Sequence, residues 1–201
     1  SVNADLGNVY IVLLESYIPS NFLTGDMDSG FLERYGFEES IMITAVFGGG
    51  SASSEFEILC GIPETEMLGG LTFNFLSSQP AGVCLPDILS AAGYTTIAIT
   101  GTLPHFHNAH NAYKAIGFDK IFNKLDLPNH DYDGIHPSDK TIFDFTLAEV
   151  GFNDDPVFVY VFTAAGHRPF PVSNVRPVLS NDTYLNRVLN TELEMRAFLT
   201  E

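Results

Sequence analysis

The 201 residues carry 9 basic and 25 acidic side chains, a net charge of −16, with 45% hydrophobic and 12% aromatic residues. That length and apolar content suit one globular domain with a buried core and exclude a disordered chain. The acidic excess disfavours nucleic acid as a partner and leaves no polybasic patch for a membrane surface. An anionic substrate would therefore need its local positive field from a bound cation or a helix N-terminus.

The opening SVNADLGNV has neither the basic start nor the apolar stretch of a signal peptide and reads as a domain boundary. No run of about 18 apolar residues spells a membrane helix. Asn8–Glu15 (NVYIVLLE) is a near-continuous apolar run, the pattern of a strand buried on both faces of a parallel sheet. Residues 16–40 read as loop with short helix, and Ile41–Phe47 as a short β-branched strand. Ser51–Gly61 carries apolar residues at Phe56, Ile58 and Leu59 and stops at Gly-Ile-Pro, which predicts a helix. Leu85–Ala92 is a helix with Pro86 in its first turn and Gly93 as its stop. Tyr94–Thr100 (YTTIAIT) is a strand, Asn108–Ile116 a short helix closed by Gly117, and Ser138–Val150 a helix with a Ser-Asp start. Pro156–Phe162 (PVFVYVF) is a third buried strand, and Asn181–Glu201 has the pattern of a long final helix. Apolar strands alternating with helices argue an α/β fold, a mainly parallel sheet with helices on both faces. Ligands of such sheets sit beyond the carboxyl ends of the strands, where Glu15, Thr100 and Thr163–His167 fall.

Two cysteines, Cys60 and Cys84, lie in no CxxC and no zinc-type spacing. They could form one disulfide, but spacing does not decide it, and two small buried residues is the simpler reading.

The residues that point to chemistry lie in three segments. In Gly48–Pro63 (GGGSASSEFEILCGIP), Ser51 follows three glycines and opens a helix, so backbone N–H groups and the positive helix end face whatever the hydroxyl holds. That setting suits a phosphate or sulfate ester and stabilises an alkoxide beside a divalent metal. The plainer alternative is that Ser51 only caps the helix. Glu15 ends the first strand, where a carboxylate is costly unless paired, metal-bound or turned to solvent. In TAAGHRPFP, His167 and Arg168 could bind an anionic leaving group or donate a proton, or simply be surface loop residues. The run HFHNAH (His105, His107, His110) has the composition of a metal tract, although His107 could instead contact substrate. His130 and His136, in NHDYDGIHPSD, read as solvated or structural.

NVYIVLLES, GGGSASSEF and TAAGHRPFP, in that order and spacing, resemble the extracellular catalytic domains of the lipoteichoic acid synthase and phosphoglycerol transferase group. That group lies within the alkaline phosphatase and sulfatase superfamily, and YKAIGFDKIF at Tyr113–Phe122 also fits its pattern. The resemblance covers about Asn8 to Glu201 and implies an alkaline phosphatase-like three-layer sandwich, here one partial catalytic domain over residues 1–201. It implies that Glu15 and Ser51 ligate one divalent metal ion, Mn2+ or Mg2+, and that Ser51 is the nucleophile, usually a threonine in the family. His167 matches a histidine near the phosphate, with Arg168 beside it, and His107 falls near a position that contacts glycerol phosphate. The implied reaction transfers phosphoglycerol or a similar head group from a phospholipid or other phosphodiester donor to a glycan or polymer of the cell envelope. The implied location is the periplasmic or extracellular face, with a membrane anchor in the full-length protein.

The chain departs from the pattern in two places. The family's Asp-His metal ligands follow a later strand, and no Asp-His dipeptide occurs in the 201 residues. Thr100 stands where the family usually has histidine. A sulfatase-type C/S-x-P-x-R motif is incomplete, since Cys84-Leu-Pro-Asp lacks the arginine. Two rival readings follow: a sulfuric or phosphoric ester hydrolase of the same superfamily, and a truncated non-catalytic binding domain.

Overall fold

The computed structural model describes residues 6–25, 32–38, 40, 50–63, 73, 83–128, 132–133, 135–170 and 178–200. The strand expected at Ile41–Phe47, the first two glycines of the triplet and His130 lie outside the described residues.

Four strands form one all-parallel sheet: β1 (Val9–Leu13), β2 (Thr95–Thr100), β3 (Lys120–Phe122) and β6 (Val157–Phe162), in the order β1-β6-β2-β3. Every residue of β6 is buried, as its uninterrupted VFVYVF run requires of a central strand. The pairing aligns Leu13 with Phe162 and Phe162 with Thr100, so these strands end together at one edge. A separate antiparallel pair, β4 (Tyr132–Asp133) with β5 (His136–Pro137), lies between β3 and the next helix in chain order.

The helices are α1 (Ser20–Thr24), α2 (Ser51–Cys60), α3 (Leu85–Ala91), α4 (Ala109–Ala115), α5 (Asp139–Gly151) and α6 (Thr183–Thr200). Each expected helix is found within two residues of its predicted ends. Strand alternation sends the β6 side chains to opposite faces, and two cores result. On one face Phe158, Tyr160 and Phe162 pack with Phe56 and Leu59 of α2 and Ala112 and Tyr113 of α4. On the other Val157, Val159 and Val161 pack with Ile142 and Phe143 of α5 and Met195 of α6. The result is the expected three-layer α/β/α arrangement. No helix among the described residues is long and apolar enough to cross a membrane.

Two expectations need correction. Cys60 and Cys84 are not two separate small core residues; they are joined in a disulfide, with Cα atoms 4.2 Å apart. The bond ties the last residue of α2 to the residue before α3. The strand β3 was not anticipated from sequence: its three residues, KIF, are too few for a periodic signal, and pairing with β2 defines it.

Candidate active site

The site lies at the carboxyl edge of the sheet and is built from the turns after β1 and β6 and the start of α2. The turns are strapped together. Thr163 N–H donates to Leu13 O at 3.1 Å, and Glu15 N–H donates to Thr163 Oγ1 at 3.2 Å. Gly166 closes the strap: a Cβ built on it would lie 1.9 Å from Glu15 O, so no side chain fits there. Among the described residues the non-glycine residues in the left-handed region are Ser16, His107 and Asn108, all beyond the carboxyl ends of β1 and β2. Such backbone costs free energy and concentrates at functional sites.

Ser51 is the first residue of α2 and Gly50 is its N-cap, with no side-chain capping bond. Ser53 and Ser54 N–H donate instead to Gly50 O, at 3.0 and 3.1 Å. The Ser51 hydroxyl does not cap its helix. It donates to Glu15 Oε2 at 2.8 Å, across 36 residues of sequence. Ser16 Oγ holds the other carboxylate oxygen, Oε1, at 2.7 Å. Glu15 is therefore partly buried and paired, not turned to solvent. A carboxylate and a hydroxyl converging at a helix N-terminus are hard oxygen donors of the kind Mg2+ and Mn2+ take. Glu15 and Ser51 fit such an ion as part of its ligand set. No group of three or more His, Cys, Asp or Glu residues that could hold a metal converges among the described residues.

The other predicted residues fall unequally around this pair. His167 is exposed, in the turn that begins at Thr163, with its N–H on Ala164 O at 3.1 Å. Its ring meets Phe106 edge-on at 6.4 Å between centroids. His107 stacks edge-on against the other side of this rim, 4.3 Å from the Phe106 ring. Arg168 is exposed and its guanidinium lies 6.0 Å from the centre of the Phe170 ring. His105, His107 and His110 do not form a metal-holding group. Thr100 is buried and its hydroxyl pairs with that of Thr102 at 2.9 Å.

Two residues of the site were not foreseen. Glu55, one helical turn after Ser51, is 3% exposed. Its Oε2 accepts hydrogen bonds from Tyr113 OH and Tyr160 OH, the latter at 3.0 Å. Burial outweighs those two bonds and pushes its carboxyl up to about 7, with a further small push from Glu15. The signal available in sequence was a carboxylate flanking Phe56 on the apolar side of the predicted helix. His136 was read as solvated or structural, but its ring is half-buried and lies 5.5 Å from that of His167. Nothing in a short polar loop indicates that contact.

A parallel sheet flanked by helices, with a serine and a strand-end glutamate joined at its carboxyl edge, defines an alkaline phosphatase-like α/β protein. The Sulfatase family model matches residues 8–192, and the chain belongs to that family. A Rhizobium meliloti (strain 1021) protein whose name proposes cyclic beta-1,2-glucan modification is 29% identical over 125 residues, 62% of this chain and 19% of that protein. Lipoteichoic acid synthase 1 of Bacillus subtilis (strain 168) is 25% identical over 120 residues, 58% of this chain and again 19% of the relative. Among solved structures, the lipoteichoic acid synthase LtaP from Listeria monocytogenes superposes with a TM-score of 0.79 at 20% identity, over 96% of this chain and 51% of that one. The Streptococcus pyogenes phosphoglycerol transferase GacH, in complex with sn-glycerol-1-phosphate, gives 0.71 at 22% identity, over 96% and 56%. The chain thus spans about half of those solved chains. The resemblance to the lipoteichoic acid synthase group, drawn from three sequence segments, is borne out.

Proposed function

We propose that this chain is the nucleophile-bearing part of a metal-dependent phosphotransferase or phosphodiesterase. The observation that carries the reading is the 2.8 Å contact from Ser51 Oγ to Glu15 Oε2 at the first turn of α2. A serine that makes no capping bond and is held by a strand-end carboxylate is placed for nucleophilic work. GacH, solved with sn-glycerol-1-phosphate, favours phosphoglycerol as the group transferred.

In this mechanism Ser51 Oγ attacks the phosphorus of a phosphodiester such as a phospholipid head group. Ser51 gives up its proton as the Oγ–P bond forms, the bond from phosphorus to the leaving oxygen breaks, and that oxygen takes up a proton and departs as an alcohol. The hydroxyl of a glycan or polymer acceptor, or water, then attacks phosphorus and loses its proton, the Oγ–P bond breaks, and Ser51 Oγ takes a proton back. Glu15 and Ser51 would hold one Mn2+ or Mg2+, which when bound supplies positive charge that favours the ionised hydroxyl. The free N–H groups at the start of α2 face the phosphate oxygens, and His167 steadies the phosphate or the leaving group. Arg168 and His107 are outer substrate contacts. The disulfide supports an oxidising location, the periplasmic or extracellular face.

The test is Mn2+-dependent cleavage of a chromogenic phosphodiester by the chain, beside Ser51→Ala and Glu15→Ala. Both variants are expected to lose at least about 1,000-fold in turnover while keeping their fold. Unchanged turnover in either would remove that residue from the mechanism. Faster turnover of a sulfate or phosphate monoester would favour the hydrolase reading.

A further inference from the structure

In a chain of net charge −16, three groups able to carry positive charge, His167, His136 and Lys124, lie near one another beyond the strand ends. His167 follows β6, His136 lies on β5, and Lys124 follows β3. The His136 and His167 rings are 5.5 Å apart with planes inclined at 51°. Lys124 is anchored at both ends: its N–H donates to Thr102 O at 2.9 Å, and its Nζ donates to Ile135 O, next to His136. The Nε2 of His136 is buried and has no hydrogen-bond partner among the described residues. A buried ring nitrogen without a partner has lost its water and gained nothing in exchange. Two imidazoles and an ammonium group near one another also repel once more than one is charged. An anion seated at the nitrogen-bearing edges of the two rings removes both costs.

We propose that His136 is a substrate-contacting residue that, with His167, grips the anionic phosphate oxygens of an ester held at Ser51. The proposal rests on the phosphoester reading above. His136 Nε2–H donates to a phosphate oxygen, and the phosphate charge offsets the repulsion between the rings. The groups acting on His136 support this. Burial, His167 and Lys124 hold its imidazole down to about 4, while Glu15 acts in the opposite direction. His136 is thus neutral in the free protein at neutral pH, and an arriving anion shifts it toward the charged form. His167 follows Gly166, whose Cβ position lies 1.9 Å from Glu15 O, so the His136–His167 ring pair adjoins the turn that bears the Ser51–Glu15 contact.

The experiment is a titration of the full chain with sn-glycerol-1-phosphate and, separately, inorganic phosphate, with and without Mn2+. Histidine side-chain NMR and calorimetry are the readouts, repeated on His136→Gln. The expected result is that the His136 and His167 ring signals move along the same saturation curve, and that His136→Gln binds roughly tenfold or more weakly. A His167 signal that moves while His136 stays fixed, with equal affinity in the variant, would overturn the grip and leave the phosphoester reading standing. No binding to the parent chain under any condition would remove both.

Discussion

Glu55 shows how a single side chain can set the pH response of the whole fold. Its carboxyl is raised from 4.5 to about 7 by burial, so the folded state holds a proton that the unfolded state releases between those values. The stabilisation is complete below pH 4.5 and lost as pH rises through 7, a change of about 3 kcal/mol. His136 works in the opposite direction. Its imidazole is lowered from 6.5 to about 4, so its contribution is present above pH 6.5 and lost as pH falls through 4. The two slopes oppose one another across nearly the same window. Thermal unfolding from pH 4 to 7 should therefore show a flatter profile in the parent chain than in either variant. Glu55→Gln is expected to gain stability with rising pH, and His136→Gln to lose it. Parallel profiles for all three proteins would contradict both assignments.

At the scale of elements, α2 carries Ser51, the proposed nucleophile, and is held at three points along its length. Ser51 contacts Glu15 at the first turn, Glu55 accepts from tyrosines of α4 and β6 in the middle, and Cys60 is bonded to Cys84 at the end. The rings of Tyr113 and Tyr160 pack 6.0 Å apart beneath it. The bridge closes a loop with a sequence separation of 24, for which chain entropy alone predicts stabilisation of about 3 kcal/mol. Reduction, or paired Cys60→Ser and Cys84→Ser substitution, should lower stability by about that amount in denaturant titration. If the helix is also held by its other two anchors, the Ser51–Glu15 contact survives reduction and turnover per folded molecule is kept. A proportionate loss of turnover would make the bridge a determinant of the site.

At the scale of the molecule, the proposed function asks a chain with 25 acidic and 9 basic residues to receive an anion. Its general field opposes the approach, while the local field from the start of α2, His136, His167 and Lys124 favours the bound state. Raising ionic strength from about 10 to about 150 mM shortens the range of the general repulsion more than it weakens contacts inside the cleft. The KM for an anionic phosphodiester is therefore expected to fall over that interval, with kcat little changed. A rising KM would put the local positive rim in control of encounter.

The strands β1, β2 and β6 and the helices from α2 to α6 were legible because each carries its own apolar run or stop signal over six or more residues. The sheet's parallel sense followed from those runs lacking alternation. The family was legible for a different reason: the short distinctive segments around Glu15, Ser51 and His167 resemble a known group in their order along the chain, and the structure brings Ser51 and Glu15 into contact. What could not be read was every feature that depends on two distant segments meeting. β3 exists because β2 lies beside it. The disulfide requires the end of α2 and the start of α3 to lie within reach of each other, and spacing of 24 residues does not state that. Glu55 is unusual only because two phenols and no water surround it. His136 meets His167 because β5 brings it against a turn that follows β6. Sequence alone determined the layers, the parallel sense of the sheet and the family, since local periodicity and motif order encode them. Tertiary structure alone decided the disulfide, the buried carboxyl of Glu55 and the meeting of His136 with His167, because contact, burial and electrostatics act through space and leave no pattern along the chain.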